Sequence, residues 1–305
     1  AAQGAWLTFA DGHRAIDGNS SWWVNTHGHA HPKIAEAIAA QARQFDQVIL
    51  ADFSHAPAAE LSAVLKTMLP GDLDHVFYSD NGSTSVEVGL KMALQAHHNL
   101  GEHQRRHFVA FEGAYHGDTV GAMSVGERGV FNEPFWSLLF DSTVLPYNDA
   151  QALRDHLEVH GDSVAGVIME PLVQGAGGMV FSDVSYLREC SEICRDFGVY
   201  FILDEVMTGW GRTGTLFACE QAGITPDILA ASKGITGGTL PLGLTVCTPR
   251  IYEAFLGDQK TDAFLHGHSY TGNPIACAAS LAALSLYEEE GTLQCVEGME
   301  SQYAG

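Results

Sequence analysis

The chain has 305 residues, of which 46% are hydrophobic and 17% charged, and this composition excludes disordered, collagen-like and low-complexity proteins. Its 15 Lys and Arg residues face 37 Asp and Glu residues, and the net charge of −22 argues against nucleic acid or anionic membrane surfaces as partners. The sequence contains no apolar run of about 18 residues that would predict a transmembrane helix, and its first residues do not follow the signal-peptide pattern.

Helical and strand periodicities alternate along most of the chain. In order, they predict helices over 32–45 and 57–68, a strand over 75–79, a helix over 83–96, strands over 107–111 and 164–169, a helix over 184–197, strands over 199–203, 227–231 and 242–248, and a helix over 273–289. Because the strands are apolar on both faces and lie between helices, we expect an α/β protein with a largely parallel sheet.

The domain organisation shows no internal repeat and no linker rich in Pro or Ser. We predict an N-terminal segment over 1–55, a large domain over 56–290 and the start of a further C-terminal segment over 291–305. Six scattered cysteines favour reduced, buried thiols over a disulfide framework, so we expect a cytoplasmic protein.

An acidic residue and a lysine follow two neighbouring predicted strands. Asp204 ends one strand, and Lys233 comes shortly after the next. Ligands bind at the carboxyl ends of strands in open α/β sheets, where a partly buried lysine becomes nucleophilic and a buried aspartate needs a cationic partner. Such a pair suits pyridoxal phosphate, because the lysine can form the Schiff base and the aspartate can hold the pyridine nitrogen protonated. An ordinary salt bridge is the alternative.

Three loops add candidate contacts to this pair. Residues 80–85 (DNGSTS) open a helix after a strand and offer N–H groups and hydroxyls to a phosphate, although an ordinary helix cap has the same pattern. Tyr115 and Asp118 follow the strand 107–111, where the tyrosine can stack on a planar ring or pack on the core. The loop 266–274 (HGHSYTGNP) offers hydroxyls to a second edge of a phosphate.

Histidines occur in groups at 27–31, 97–98 and 266–268. Histidine is a common metal ligand, but none of these groups has the helical His-Glu-x-x-His spacing or a neighbouring cysteine or carboxylate at ligand spacing. We therefore expect no metal site.

Together the motifs resemble the class III pyridoxal-phosphate aminotransferases, in order and spacing, over nearly the whole chain. The resemblance rests on residues 20–23, 81–83, 115–119, 121–124, 170–178, 204–205, 209–214 and 232–234. It implies the type I fold of pyridoxal-phosphate-dependent transferases, a mostly parallel mixed sheet flanked by helices in a cofactor-binding large domain. It also implies a homodimer with active sites at its interface. Most of the family's C-terminal small domain, with an arginine for the substrate carboxylate, and an N-terminal tyrosine of the active site are expected to lie outside these residues.

The resemblance also assigns site residues. Lys233 is expected to form the Schiff base, Asp204 to pair with the pyridine nitrogen and Tyr115 to stack on the ring. The cofactor-binding set it implies is Gly82, Ser83, Tyr115, Asp204, Val206, Lys233, Ser269 and Tyr270. The substrate-binding set is Trp22, Trp23, Asp118 and Arg212.

Within the family, the paired tryptophans and the run 121–124 (GAMS) indicate transamination of 8-amino-7-oxononanoate to 7,8-diaminononanoate in biotin biosynthesis. The loop 266–269 (HGHS) departs from the His-Gly-Pro-Thr form of relatives that use S-adenosylmethionine, which leaves S-adenosylmethionine and lysine both open as donors. The sequence also leaves open a class III enzyme acting on ornithine, 4-aminobutyrate or lysine, a related aminomutase, and a non-catalytic binding module. A nicotinamide-dependent reductase is disfavoured, since no Gly-x-Gly-x-x-Gly motif follows a strand.

Overall fold

The computed structural model describes residues 1–303, and it begins with a small antiparallel sheet. The strands are β1 (Ala2–Gln3), β2 (Trp6–Thr8) and β3 (Arg14–Ile16). A single turn, α1 (Ser20–Trp23), and the helix α2 (Pro32–Ala42) follow. The residues of α1 have positive φ angles, so the turn is left-handed.

A seven-stranded sheet forms the centre of the molecule, with strand order β4-β12-β11-β10-β7-β5-β6. The strands from β4 onward, with the separate hairpin β8-β9, are β4 (His75–Ser79), β5 (His107–Phe111), β6 (Thr143–Leu145), β7 (Val164–Met169), β8 (Val173–Gln174), β9 (Val180–Phe181), β10 (Tyr200–Asp204), β11 (Ile228–Ala231) and β12 (Gly243–Cys247). β12 alone runs opposite to the other six strands of this sheet. The prediction of an α/β protein with a mostly parallel mixed sheet is therefore confirmed.

Helices cover both faces of the sheet. They are α3 (Ala56–Met68), α4 (Gly82–Asn99), α5 (Val120–Ser124), α6 (Ala150–His160), α7 (Val184–Asp196), α8 (Cys219–Ala222), α9 (Pro249–Glu253), α10 (Pro274–Glu289) and α11 (Thr292–Tyr303). In residues 1–303, none of them is both long enough and apolar enough to cross a membrane.

Alternate strand residues pack into two separate cores, as the pleat of a sheet buried on both faces requires. In β5, Val109 and Phe111 join the core that includes α3, α6, α7 and α10, whereas Phe108 and Ala110 join the core that includes α4. Hence α4 lies on one face and most of the other helices on the opposite face.

The predicted N-terminal segment is joined closely to the large domain. Ile34 of α2 is buried in a third apolar cluster with Ala279 and Ala283 of α10. α2, before residue 55, and α3, after it, both pack against α10, so packing does not separate the two segments. The boundary near residue 55 stays a prediction.

Candidate active site

The carboxyl ends of β4, β5, β7, β10 and β11 meet at one edge of the sheet, since these strands all run in the same direction. A cavity of about 470 Å³ opens there. Its walls include most of the residues predicted to bind cofactor: Gly82, Ser83, Tyr115, Asp204, Val206 and Lys233. Sequence and topology thus bring together loops that are far apart along the chain.

Asp204 ends β10 and is almost completely buried. Its Oδ2 lies 2.7 Å from Nδ1 of His116, which is equally buried, and its Oδ1 accepts a hydrogen bond from the Val206 N–H at 3.0 Å. Nε2 of His116 is buried without a hydrogen-bond partner in the described chain. The carboxylate is therefore fixed in orientation by a histidine and a backbone amide.

Glu170, directly after β7, is a second buried carboxyl group in this cavity. Oε1 accepts a hydrogen bond from the Tyr115 N–H at 3.1 Å, and Oε2 accepts one from the Gly175 N–H at 2.9 Å. Burial raises the pKa of Glu170 to about 7, against the opposing effect of His116. Near neutral pH this carboxyl group is therefore part protonated.

Lys233 follows β11 and has a left-handed backbone conformation, with φ at 48°. Burial lowers the pKa of its amine, and the nearby carboxylates of Asp204 and Glu170 only partly offset that effect. Nζ lies 4.9 Å from the ring centroid of Trp23. A larger fraction of Lys233 is thus neutral and nucleophilic than of a solvent-exposed lysine.

The N-terminus of α4 faces the same cavity. Asn81 caps the helix by accepting a hydrogen bond from the Thr84 N–H at 3.0 Å, and the Gly82 and Ser83 amides have no acceptor within the described residues. A Cβ at Gly82 would lie 2.6 Å from Cγ1 of Val206, so any other residue there would force the Val206 side chain or the helix to shift. Free amides at the positive end of a long helix are groups that can bind an anion.

Tyr115 lies at the mouth of the cavity and is 45% exposed. Its hydroxyl donates a hydrogen bond to Oδ2 of Asp118 at 3.1 Å, and the Asp118 N–H donates to Oγ of Ser83 at 3.2 Å. Burial, with Asp118 nearby, raises the pKa of Tyr115 to about 12. Asp118 therefore supports Tyr115 and Ser83 rather than lining the cavity itself.

The two predicted tryptophans have different positions. Trp23 lines the main cavity, whereas Trp22 is 74% exposed and does not. Trp23 also borders an adjacent, mainly apolar cavity of about 390 Å³ that Arg212 lines. The Arg212 guanidinium donates hydrogen bonds to Ser20 Oγ at 3.3 Å and to the Asn25 carbonyl at 2.6 Å.

Ser269 and Tyr270 do not line the cavity of their own chain. The Ser269 carbonyl accepts a hydrogen bond from Gln47 Nε2 at 2.6 Å, and Tyr270 is 66% exposed. Their assignment to the cofactor stays a prediction.

Sequence reasoning assigned no role to His116 and Glu170, although both lie within the motifs it used. Their burial beside Asp204 and Lys233 depends on how the loops fold across the sheet edge. The available sequence signal is position: Glu170 directly follows the predicted strand 164–169, and His116 comes shortly after the predicted strand 107–111. Among residues 1–303, no three His, Cys, Asp or Glu side chains cluster in a way that could hold a metal ion.

Comparison with known proteins gives a consistent result. Residues 1–303 match the family model described as aminotransferase class III. A curated relative from Synechococcus elongatus, an adenosylmethionine-8-amino-7-oxononanoate aminotransferase, is 51% identical over 99% of this chain and 73% of its own length. A second relative of that name, from Nitratidesulfovibrio vulgaris, is 44% identical over 96% of this chain and 58% of its own length.

Solved structures agree with the sequence comparison. The adenosylmethionine-8-amino-7-oxononanoate aminotransferase of Methanocaldococcus jannaschii superimposes with a TM-score of 0.93 at 37% identity, over 96% of this chain and 69% of that one. An amine transaminase from an uncultivated Pseudomonas species, solved in its PLP-bound form, has a TM-score of 0.90 at 34% identity, over 95% of this chain and 70% of that one.

Proposed function

This chain belongs to the class III aminotransferase family, and from that premise we propose that it carries the reaction centre for converting 8-amino-7-oxononanoate to 7,8-diaminononanoate. The observation that supports the chemistry is the single cavity that joins Lys233, Asp204 and the N-terminus of α4. The observation that supports the substrate is the name shared by relatives that are 51% and 44% identical to this chain.

Pyridoxal 5′-phosphate is the cofactor of this family, and the residues around the cavity fit it. Gly82 leaves no room for a Cβ beside Val206, and the neighbouring amides provide an anion site. Gly82 and Ser83 would hold the phosphate, Asp204 the ring nitrogen and Lys233 the aldehyde carbon. When bound, the cofactor supplies an aldehyde that condenses with amines and a ring that accepts electrons.

The residues of the chain supply positioning and proton transfer. The His116 ring and the Val206 amide keep the Asp204 carboxylate in one orientation, which favours a cationic group facing it. Lys233, whose amine pKa is lowered by burial, would take a proton at Nζ from the donor carbon that bears the amino group and deliver it to the cofactor's aldehyde carbon in the same half-reaction. In the second half-reaction Nζ would carry a proton the other way, to the carbonyl carbon of the keto acid. Donor and keto acid use the same site in turn.

The apolar side of the site supports a long aliphatic acceptor. Trp23 lies between the main cavity and the adjacent one, which is also lined by Leu172, Met179 and Phe181. Rigid aromatic and aliphatic walls suit an alkyl chain, whose burial contributes about 0.8 kcal/mol per methylene group. Both S-adenosylmethionine and lysine remain candidate donors.

We also infer that the working unit is a homodimer in the cytoplasm. Ser269 and Tyr270 lie away from the cavity of their own chain, and the exposed apolar side chains of Val130, Phe131 and Leu138 offer a surface for a second copy. A single-chain mass in sedimentation equilibrium at every protein concentration would contradict the dimer.

The cysteines support the cytoplasm as the compartment, since all six are free and five are buried, which agrees with a reducing environment.

The function is tested with the 305-residue chain, pyridoxal 5′-phosphate and borohydride, followed by peptide mass mapping. We expect the reduced cofactor on Lys233, and loss of both label and turnover in Lys233→Ala. The matched control is Lys260→Ala, which changes an exposed lysine and leaves both unchanged.

The acceptor is tested by coupling 8-amino-7-oxononanoate with S-adenosylmethionine or lysine and measuring 7,8-diaminononanoate. Turnover of ornithine, 4-aminobutyrate or simple amines without any turnover of this keto acid would contradict the proposed substrate. Label retained in Lys233→Ala would contradict the proposed chemistry.

A further inference from the structure

The turn α1 carries an unfavourable backbone conformation next to the cavity. Ser20, Ser21, Trp22 and Trp23 have φ angles of 50°, 50°, 64° and 64°. For L-residues a left-handed turn is unfavourable, because Cβ comes too close to the following carbonyl oxygen, so the surrounding structure must hold it in place.

Asp17 makes the side-chain contacts that hold the middle of this turn. Its Oδ1 accepts a hydrogen bond from the Ser21 N–H at 2.9 Å, and its Oδ2 accepts one from the Ser21 hydroxyl at 2.7 Å. His29 Nε2 lies 2.7 Å from the same Oδ2. The Asp17 and His29 side chains are only 7% and 19% exposed, so water competes weakly for these bonds.

The two ends of the turn are held differently. Arg212 binds Ser20 Oγ and the Asn25 carbonyl, and the Trp23 N–H donates to the Asn19 carbonyl at 2.9 Å. Among the described side chains, only Asp17 hydrogen-bonds to Ser21. Removing the Asp17 carboxylate would therefore remove every side-chain hydrogen bond that the described residues make to Ser21, at the centre of the turn.

The turn is connected directly to Lys233. Trp23 places its ring under the Lys233 ammonium, with 4.9 Å between Nζ and the ring centroid. Val24 and Thr26, which follow the turn, lie close to the segment after Lys233. A Cβ at Gly238 would lie 2.9 Å from the Val24 carbonyl carbon, and a Cβ at Gly234 would lie 2.9 Å from Thr26 Cγ2. Movement of the turn would therefore move both the aromatic wall and the contacts beside the lysine.

We propose that Asp17, braced by His29, is a positioning residue that holds the left-handed turn Ser20–Trp23 and so fixes Trp23 in the wall of the active site. His29 belongs to the histidine group 27–31. That group therefore acts partly by supporting this aspartate. The structural part of the proposal is independent of the reaction, and its kinetic part rests on the proposed function.

The structural part is tested by ¹⁹F NMR of the chain labelled with 5-fluorotryptophan. The five tryptophans give a small set of signals, assigned by single substitution of each. In Asp17→Ala we expect the Trp22 and Trp23 signals to shift or broaden, while the Trp136 signal stays unchanged. In Asp17→Asn, which retains an acceptor for the Ser21 N–H, we expect a smaller shift.

The matched control is Asp11→Ala. Asp11 also pairs with a histidine, His13, at 2.6 Å, but both side chains are largely exposed and neither contacts the turn. This variant should leave the Trp22 and Trp23 signals unchanged. Adding Ser21→Gly to Asp17→Ala should return them part of the way toward the wild-type positions, because glycine adopts positive φ without the penalty.

The kinetic part is read from KM and kcat in the transamination assay. Asp17→Ala should raise KM for the long-chain acceptor on the order of tenfold, and should lower kcat less, because the wall is displaced while Lys233 remains. Asp17→Ala with wild-type Trp22 and Trp23 signals would overturn the proposal. Shifted signals with an unchanged KM would uphold the positioning of the turn and contradict the proposed role of Trp23 as substrate wall.

Discussion

At the scale of single residues, the site contains more negative than positive groups. Asp204 and Glu170 both lie near Lys233, yet they differ in surroundings. Asp204 has His116 and a backbone amide as partners, whereas Glu170 has two backbone amides. Burial dominates at Glu170, so its proton is held until about neutral pH.

This raised pKa predicts a specific pH dependence of stability. The pKa of Glu170 is about 7 in the folded chain and 4.5 ordinarily, so between these values the folded state binds the proton and the unfolded state has released it. The contribution to the free energy of unfolding is thus complete below pH 4.5 and falls as pH rises toward about 7, by at most about 1.4 kcal/mol per pH unit. Glu170→Gln removes that dependence.

Urea unfolding of the wild type and of Glu170→Gln, at about pH 5 and about pH 7.5 and constant ionic strength, measures the difference. We expect the variant to be less stable relative to wild type at the lower pH than at the higher one. Glu112→Gln, at an exposed position of the same region, is the control and should follow the wild type. Parallel pH profiles for Glu170→Gln and wild type would show that Glu170 is ionised over the whole range.

The residue types and spacing identified Lys233, Asp204, Gly82 and Tyr115 as candidates, and the fold places all of them around one cavity. Strand periodicity made this possible, because it predicted which loops end at the carboxyl edge of the sheet. Strand periodicity could not predict the interaction of His116 with Asp204. It depends on the path of the loop after β5, which carries no periodic signal.

At the scale of secondary-structure elements, the junction between α4 and the loop after β10 depends on one glycine. Gly82 begins α4, and a Cβ added there would lie 2.6 Å from Cγ1 of Val206. We expect Gly82→Ala to lower the free energy of unfolding by about 1–3 kcal/mol through overpacking, and to weaken cofactor binding by displacing the helix amides.

A second substitution tests that explanation. Val206→Ala removes the Cγ1 atom that the new Cβ would meet at 2.6 Å, so the double variant should recover part of the lost stability. Gly129→Ala introduces a Cβ with no atom within 4 Å and serves as the control. Strictly additive losses in the double variant, measured by urea unfolding and cofactor titration, would exclude the clash as the cause.

Several elements have bounds close to those predicted from their apolar pattern. Strands 107–111 and 164–169 have the predicted bounds, and the helix predicted over 57–68 is observed over Ala56–Met68. By contrast, β6 and α6 were not predicted. β6 is a three-residue edge strand with Val144 exposed, too short for an alternating pattern to stand out.

The left-handed turn α1 shows another limit of sequence reasoning. Its residues are serine and tryptophan, which give no signal for positive φ, whereas glycine would have done so. The conformation is held by Asp17 and Arg212, which lie outside the turn. The resemblance assigned both tryptophans to substrate binding, but it did not distinguish Trp23, which lines the cavity, from Trp22, which is exposed.

At the scale of the whole molecule, the net charge of −22 opposes the approach of an anionic cofactor. The attraction is local: the first amides of α4 face the cavity, while Asp80, Glu170 and Asp204 surround it. Long-range repulsion and short-range attraction respond differently to salt. The Debye length falls from about 30 Å at 0.01 M to about 8 Å at 0.15 M, so salt screens the distant carboxylates more than the contacts inside the cavity.

We therefore expect the association rate of pyridoxal 5′-phosphate with the cofactor-free chain to rise with ionic strength, by about two- to tenfold between about 0.01 M and about 0.3 M KCl. Stopped-flow fluorescence measures this rate. Pyridoxal, which lacks the phosphate, is the matched control, and its association rate should change little because it carries no net negative charge to be repelled. A rate that falls with salt for the phosphate compound would mean that the helix amides and Lys233 govern the field outside the cavity, in spite of the overall charge.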